Sequence, residues 1–193
     1  RGTVKKSKLS DFTNIRKSGI VAVKLDKGDE LAWSEFTSGE NDIILTTKNG
    51  KAIRFSEKAV RPTGRATMGV RGIRIESDDI VIGMDVINKE ANDDLLTIME
   101  NGLGKKTASK LFRGQGRGGK GVKVAKVTAK TGKVAFAQVI PPNCEEIIMT
   151  SQRGLVVKLS LTSVPRLARD TQGVILMRFT NPNDHITSAT FVE

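Results

Sequence analysis

The 193-residue sequence has no tyrosine, one cysteine, one histidine and one tryptophan. Without tyrosine, no chemistry that needs a tyrosine nucleophile can be carried by this chain. The single cysteine, Cys144, excludes an intrachain disulfide and reads as a small buried hydrophobe in a reducing, cytosolic setting. His185 lies in the polar run NPNDHIT with neither a second histidine nor a cysteine pair. Neither a zinc site nor a histidine-based triad can therefore be assembled. Asp78-Asp79 and Asp93-Asp94 are sequence neighbours whose side chains point apart on a strand or turn, so they solvate turns rather than form a catalytic pair. The residues support neither an enzyme nor a bound cofactor or metal. Seven phenylalanines and Trp33 are too few for a platform that stacks single-stranded bases; they read as core. No apolar run approaches the roughly 18–20 residues of a membrane span, and no signal peptide opens the chain.

What the chain has is positive charge. Thirty-two Lys and Arg face 21 Asp and Glu, for a net charge of +11 and a pI near 10.0. Such a bias points to a polyanion, either nucleic acid or an acidic membrane face. Scarce aromatics favour the backbone of a duplex. The charge is also segregated. Between Asn101 and Cys144 there is no acid, while Asp26, Asp29, Glu30, Asp78, Asp79, Asp93, Asp94, Glu145 and Glu146 gather at turns and links.

The sequence repeats. One set of glycines, Gly2, Gly50, Gly102 and Gly154, is spaced by 48, 52 and 52 residues. A second set, Gly19, Gly69, Gly121 and Gly173, is spaced by 50, 52 and 52. Two landmarks holding one period mark an array of similar units, with approximate bounds 1–38, 39–90, 91–141 and 142–193 in a single domain. Inside each unit apolar residues alternate with period two, the signature of strands. The pattern predicts strands over 42–47, 52–56, 70–75, 80–87, 95–99, 122–127, 147–150 and 174–179, with a tight Asn-Gly hairpin at Lys48–Lys51. The stretches 56–60 and 108–112 predict at most one helical turn. Four strands per unit of about 50 residues describe an all-β, propeller-like array of four-stranded blades. The first unit lacks the apolar strand that precedes the first glycine elsewhere, so an upstream strand or unit is expected to be missing.

The most basic stretch is Phe112–Val127, FRGQGRGGKGVKVAKV, with Arg113, Arg117, Lys120, Lys123 and Lys126 among five glycines. Gly114–Lys120 satisfies G-x-x-x-x-G-K, but Gly121 stands where a P-loop needs Ser or Thr for magnesium. VKVAKV then continues as a strand rather than as the helix that would receive phosphate. The stretch is better read as one version of a basic theme. After the first glycines come Lys5/Lys6, Lys51/Arg54, Lys105/Lys106 and Lys158. Before the second come Arg16/Lys17, Arg61/Arg65, Arg113/Arg117/Lys120 and Arg166/Arg169. Repeated on each unit, these cations would form a belt that grips phosphates without reading sequence. A scaffold for an acidic protein remains open on the residues alone.

The strings GTVKKSKLSDF, TTKNGKAIRFSEKAVRPTG, GVRGIRI, NGLGKKTA and DTQGVILMRF make the whole chain resemble the C-terminal domain of the DNA gyrase A protein and, more distantly, its topoisomerase IV counterpart. That resemblance implies a β-pinwheel whose blades exchange strands, with a basic rim around which duplex DNA bends. It implies a non-catalytic domain of a cytoplasmic, ATP-dependent topoisomerase built from gyrase A and gyrase B proteins as A2B2. ATP, magnesium and the cleaving tyrosine would then belong elsewhere. Gln115–Gly121, QGRGGKG, is similar to the family's QRRGGKG box at Gln115, Arg117, Gly118, Gly119, Lys120 and Gly121, with Gly116 in place of a basic residue. The box lies in the third repeat here rather than in a first blade. The acidic tail that many relatives carry is absent from this sequence.

Overall fold

The computed structural model describes residues 1–192. Its thirteen strands are β1 (Thr3–Val4), β2 (Asp42–Thr47), β3 (Lys51–Ser56), β4 (Val70–Arg71), β5 (Val81–Ile87), β6 (Asp94–Met99), β7 (Leu103–Ala108), β8 (Val122–Lys123), β9 (Val134–Val139), β10 (Glu146–Ser151), β11 (Val156–Ser160), β12 (Val174–Ile175) and β13 (Ile186–Val192). Among the described residues the helical content is four short 3-10 turns, three of them at Glu57–Ala59, Ser109–Leu111 and Leu161–Ser163. The fold is all-β, as the alternation predicts.

The sheets are built across repeat boundaries. β5-β2-β3-β8 form one four-stranded blade and β12-β7-β6-β9 another. In each, three strands come from one repeat and the fourth from the next: β8 pairs with β3 through Lys51↔Lys123 and Ala52↔Val122, and β12 with β7 through Leu103↔Ile175. β4 of the second repeat pairs with β1 in the same way. This strand exchange makes the array a β-pinwheel. Two sheets fall short of the expected four strands: β11-β10-β13 has three and β1-β4 has two.

Alternation then explains the core. Every residue of β2 is buried, because both faces of the blade are covered. Ile43 and Leu45 face one cluster with Phe55 and Ile73, whereas Ile44 faces another with Leu95 and Phe112. β6 divides likewise, with Leu95 and Met99 on one side and Leu96 and Ile98 on the other, against Ile147 and Met149 of β10. Three apolar layers thus sit between consecutive blades. The pinwheel is welded at its seams.

Two expectations change. Past the second glycine the ladders are two residues long, not six, as at Val70–Arg71, Val122–Lys123 and Val174–Ile175. The alternating run after Gly19 makes no strand, and no strand is assigned between residues 13 and 41. In the later repeats the strand after the second glycine pairs with a strand of the repeat before, and among the described residues no such strand stands ahead of this segment. Phe36 is consequently 83 % exposed instead of core, and Trp33 is half-buried beside a hollow lined also by Ile43, Phe55 and Met84. Cys144 is half-buried, its thiol 3.2 Å from the Val192 carbonyl.

Candidate nucleic-acid interface

The box-like stretch is a loop of the third repeat laid over the second. Gly114 forms a parallel bridge with Arg54, and Gln115 N–H donates to the Arg54 carbonyl at 2.8 Å. Gly118 N–H donates to the Gly72 carbonyl at 2.6 Å, and the Gly119 carbonyl accepts from Arg74 N–H at 2.8 Å. The Arg117 guanidinium reaches the carbonyls of Ala59 (2.9 Å) and Arg71 (3.0 Å). Two of its five N–H donors are spent on anchoring, and the rest are left for a ligand. Arg113, Arg117 and Lys120 are all exposed. Among the described residues no carboxylate lies within ion-pair distance of any of the three. Gln115 is partly buried and its Nε2 finds no partner.

The glycines divide by role. Gly121 has φ +71, and a Cβ there would lie 2.5 Å from the Ala52 carbonyl, so it is glycine because the exchanged strand must touch its neighbour. Gly114 and Gly116 meet nothing within 4 Å and leave the outer side of the loop open. Close approach to a phosphate backbone is available at those two, not at Gly121.

The same loop recurs one period on. Lys106 bridges Arg166, Leu167 N–H donates to the Lys106 carbonyl (2.8 Å), Lys126 N–H to Thr171 (3.0 Å), and the Arg169 guanidinium reaches the Lys123 carbonyl at 3.0 Å. In the second repeat, Thr63 N–H donates to Lys6 at 2.9 Å and Lys24 N–H to Thr67 at 3.1 Å. Arg61 is exposed and Arg65 half-exposed on that copy, and Arg16 and Lys17 are exposed on the first.

The cations after the first glycines behave differently. Lys6, Arg54 and Lys106 each send a side-chain donor to the first carbonyl of the next repeat's 3-10 turn: Glu57 at 2.9 Å, Ser109 at 3.1 Å and Leu161 at 2.7 Å. Lys6 also lies 3.5 Å from the Glu57 carboxylate, and Arg54 pairs with buried Asp42 at 2.8 Å. These three staple one repeat to the next before they serve any ligand. Lys158, at the same place in the last repeat, pairs with Glu146 at 2.5 Å. Lys5 donates to Ser7 Oγ and the Ala22 carbonyl. Lys51 stands directly opposite Lys123 in the β3–β8 ladder, and Lys123 is relieved by Asp170 at 3.2 Å. Like charges placed opposite destabilise a sheet unless something negative lies over them.

One expected contact is withdrawn. Lys105 is 1 % exposed, with its ammonium turned into the protein, so no macromolecular polyanion reaches it. The signal was present in the sequence. Lys105 and Lys106 are adjacent on a strand and must point to opposite faces, so one of them had to face inward.

The period also carries a row of cations outside those expected. Lys24, Arg74, Lys126 and Arg178 each stand five residues past a second glycine and are all exposed. The backbone N–H of the first three is the one that binds the next repeat's loop. Each therefore sets a positive side chain at a seam. Aligning the repeats on the second glycines would have found them.

Among the described residues no group of His, Cys, Asp or Glu could hold a metal ion, and no helix is long and apolar enough to cross a membrane. Solved structures of the same shape are the C-terminal domain of DNA topoisomerase IV (TM-score 0.90, 22 % identity, all of this chain and 59 % of that one) and the DNA gyrase A C-terminal domain (TM-score 0.82, 26 % identity, 98 % of this chain and 62 % of that one). The DNA gyrase A protein of Staphylococcus epidermidis is 36 % identical over 178 residues, covering 92 % of this chain. The chain spans about a fifth of the length of that relative, 20 %. The family described as DNA gyrase C-terminal domain, beta-propeller, matches at residues 1–37, 41–88, 93–141 and 145–193. With four segments matched and both the strand exchange and the seam loops in place, the chain belongs to that family of DNA gyrase C-terminal domains.

Proposed function

We propose that this chain is a non-catalytic DNA-wrapping domain of a gyrase A protein, bending duplex DNA, largely without regard to sequence, around a rim formed by its seam loops. The observation that carries the reading is the loop itself. It is held three times by the same two backbone hydrogen bonds, and in the third repeat it presents Arg113, Arg117 and Lys120 with no carboxylate partner among the described residues. Bending is costly, about 1–6 kcal/mol for 20–30 base pairs turned through 40–90°, so several contacts at regular intervals are needed. A repeated loop supplies them. The remainder of the gyrase A protein, with gyrase B in an A2B2 complex in the cytoplasm, would supply cleavage, ATP and magnesium, consistent with a chain that has no tyrosine. Wrapping would then present a crossed segment to the gate so that strand passage introduces negative supercoils.

A duplex of about 40 base pairs labelled at both ends tests this. Its ends should approach on binding at low salt and separate as salt rises, whereas binding without bending overturns the proposal. The topoisomerase IV reading shares the fold, at 22 % identity to the solved topoisomerase IV domain against 36 % to a gyrase A protein. Supercoiling of relaxed plasmid by the assembled enzyme separates the two, since a topoisomerase IV only relaxes or decatenates and would leave that plasmid relaxed. An acidic-protein scaffold would prefer that protein to duplex DNA in direct competition.

A further inference from the structure

The Lys105 side chain lies wholly inside the protein yet makes no ion pair among the described residues. Its ammonium donates to the Ala168 carbonyl (2.6 Å), Thr171 Oγ1 (3.0 Å) and the Arg169 carbonyl. An ammonium has three donors, and all three are used on one target: the seam loop of the fourth repeat. Asp170 favours the charge and Arg169 opposes it, but neither side chain touches it. Burial pushes the group down to about 8, which leaves it largely protonated at neutral pH.

A buried charge without a counter-ion is a poor way to gain stability, and well-packed apolar residues usually do better. The position three residues past the first glycine is Lys5 in the first repeat, Ile53 in the second and Val157 in the fourth. At Ile53 an apolar residue serves under a loop, and Lys5 donates to Ser7 and Ala22 rather than to the second-repeat loop. Ile53 Cδ1 packs beneath Gly119, 3.4 Å from where a Cβ would sit. The two loops differ in what they need. The third repeat turns through Gly118, at φ +79, and Gly119, whereas the fourth has Asp170 and Thr171 at those places. The fourth-repeat loop turns its oxygens inward, onto Lys105. Its outer side then carries Arg166, whose Nε is 2.8 Å from Asp94, and Arg169, held on Lys123. Each keeps donors for a ligand.

Resting on the DNA-wrapping reading, we propose that Lys105 is a positioning residue: from the third repeat it fixes the fourth-repeat loop so that Arg166 and Arg169 meet duplex phosphate. Lys105 touches no DNA.

The test uses the whole chain with K105M, R166A/R169A and the triple variant. Without DNA, amide exchange at residues 167–171 should quicken roughly tenfold in K105M, with β6 and β10 unchanged and the melting temperature not lowered. With DNA, K105M should weaken binding by about as much as R166A/R169A and lower the salt slope by about 2. The triple variant should bind no worse than the double. Unchanged exchange at the loop, or additive losses in the triple variant, would overturn the role. If K105M fails to fold, T171V removes one acceptor, together with the hydroxyl's own bond to the Ala168 carbonyl (2.8 Å), without touching β7 and should quicken exchange by at least about twofold; no change there overturns it equally. A wild-type chain that does not bind duplex DNA overturns the wrapping reading, while the exchange result still decides whether Lys105 orders the loop.

Discussion

Arg117 and Lys120 differ in kind although they stand three residues apart in one loop. Arg117 is anchored on two carbonyls and so offers a fixed set of donors, whereas Lys120 is a charge on a flexible stem. Replacing both with Ala should therefore reduce bending and supercoiling more than it reduces duplex affinity, measured side by side by end-to-end energy transfer and by titration. Equal losses would make the loop one basic patch among several. Asp85 makes a separate case at this scale. It lies on β5 opposite Ile44, and burial pushes its carboxyl up to about 7 despite a hydrogen bond from Val139 N–H, with Glu35 adding to the rise. The folded state thus holds a proton that the unfolded chain releases near 3.8, and stability falls as pH rises from about 4 to about 7. D85N should raise the melting temperature at pH 8 by several degrees and leave it nearly unchanged at pH 4.

Among the elements, the deep strands were the most legible. β2, β3, β6 and β10 fall on expected strands because a blade covered on both faces needs dense apolar runs, whereas β7 (LGKKTA) has too few apolar residues to be read and was not among the expected strands. The exchanged strands β4, β8 and β12 were overextended from sequence. Their alternation runs on, but their hydrogen bonds beyond two residues go to the next repeat's loop, as Arg74 N–H goes to Gly119 and Lys126 N–H to Thr171. Which strand of which repeat completes a sheet is a property of topology, and no local pattern encodes it. The site divides in the same way. The box-like loop and its copies were visible as periodic cations, whereas the staples of Lys6, Arg54 and Lys106 and the inward turn of Lys105 depend on the adjoining repeat. Gly121 tests the exchange. G121A would force a side chain to φ +71 against the Ala52 carbonyl and should cost about 1–3 kcal/mol in denaturant unfolding. A neutral result would show that β8 is free to lift from β3.

For the molecule as a whole, the relevant measure is the salt dependence of DNA binding. If the seam loops neutralise about eight phosphates, log K should fall against log salt with a slope near −7. Changing Arg74 and Lys126 to Ala should reduce the slope by about 2 if the seam row lies under the duplex. A slope near zero would remove duplex phosphate as the partner.

The staples and anchored loops also say where mechanical load would go. Bent DNA is a spring, and it recoils outward against whatever holds it. The arginine that would receive that recoil belongs to one repeat but hangs from the carbonyls of the one before: Arg117 on Ala59 and Arg71, Arg169 on Lys123. Tension from the duplex would be passed sideways into the seam and shared by two blades through their common apolar layer. A harder-bent duplex would pull neighbouring blades on each other, so the spacing of the seams, rather than the strength of any single contact, would set the curvature that the array can hold.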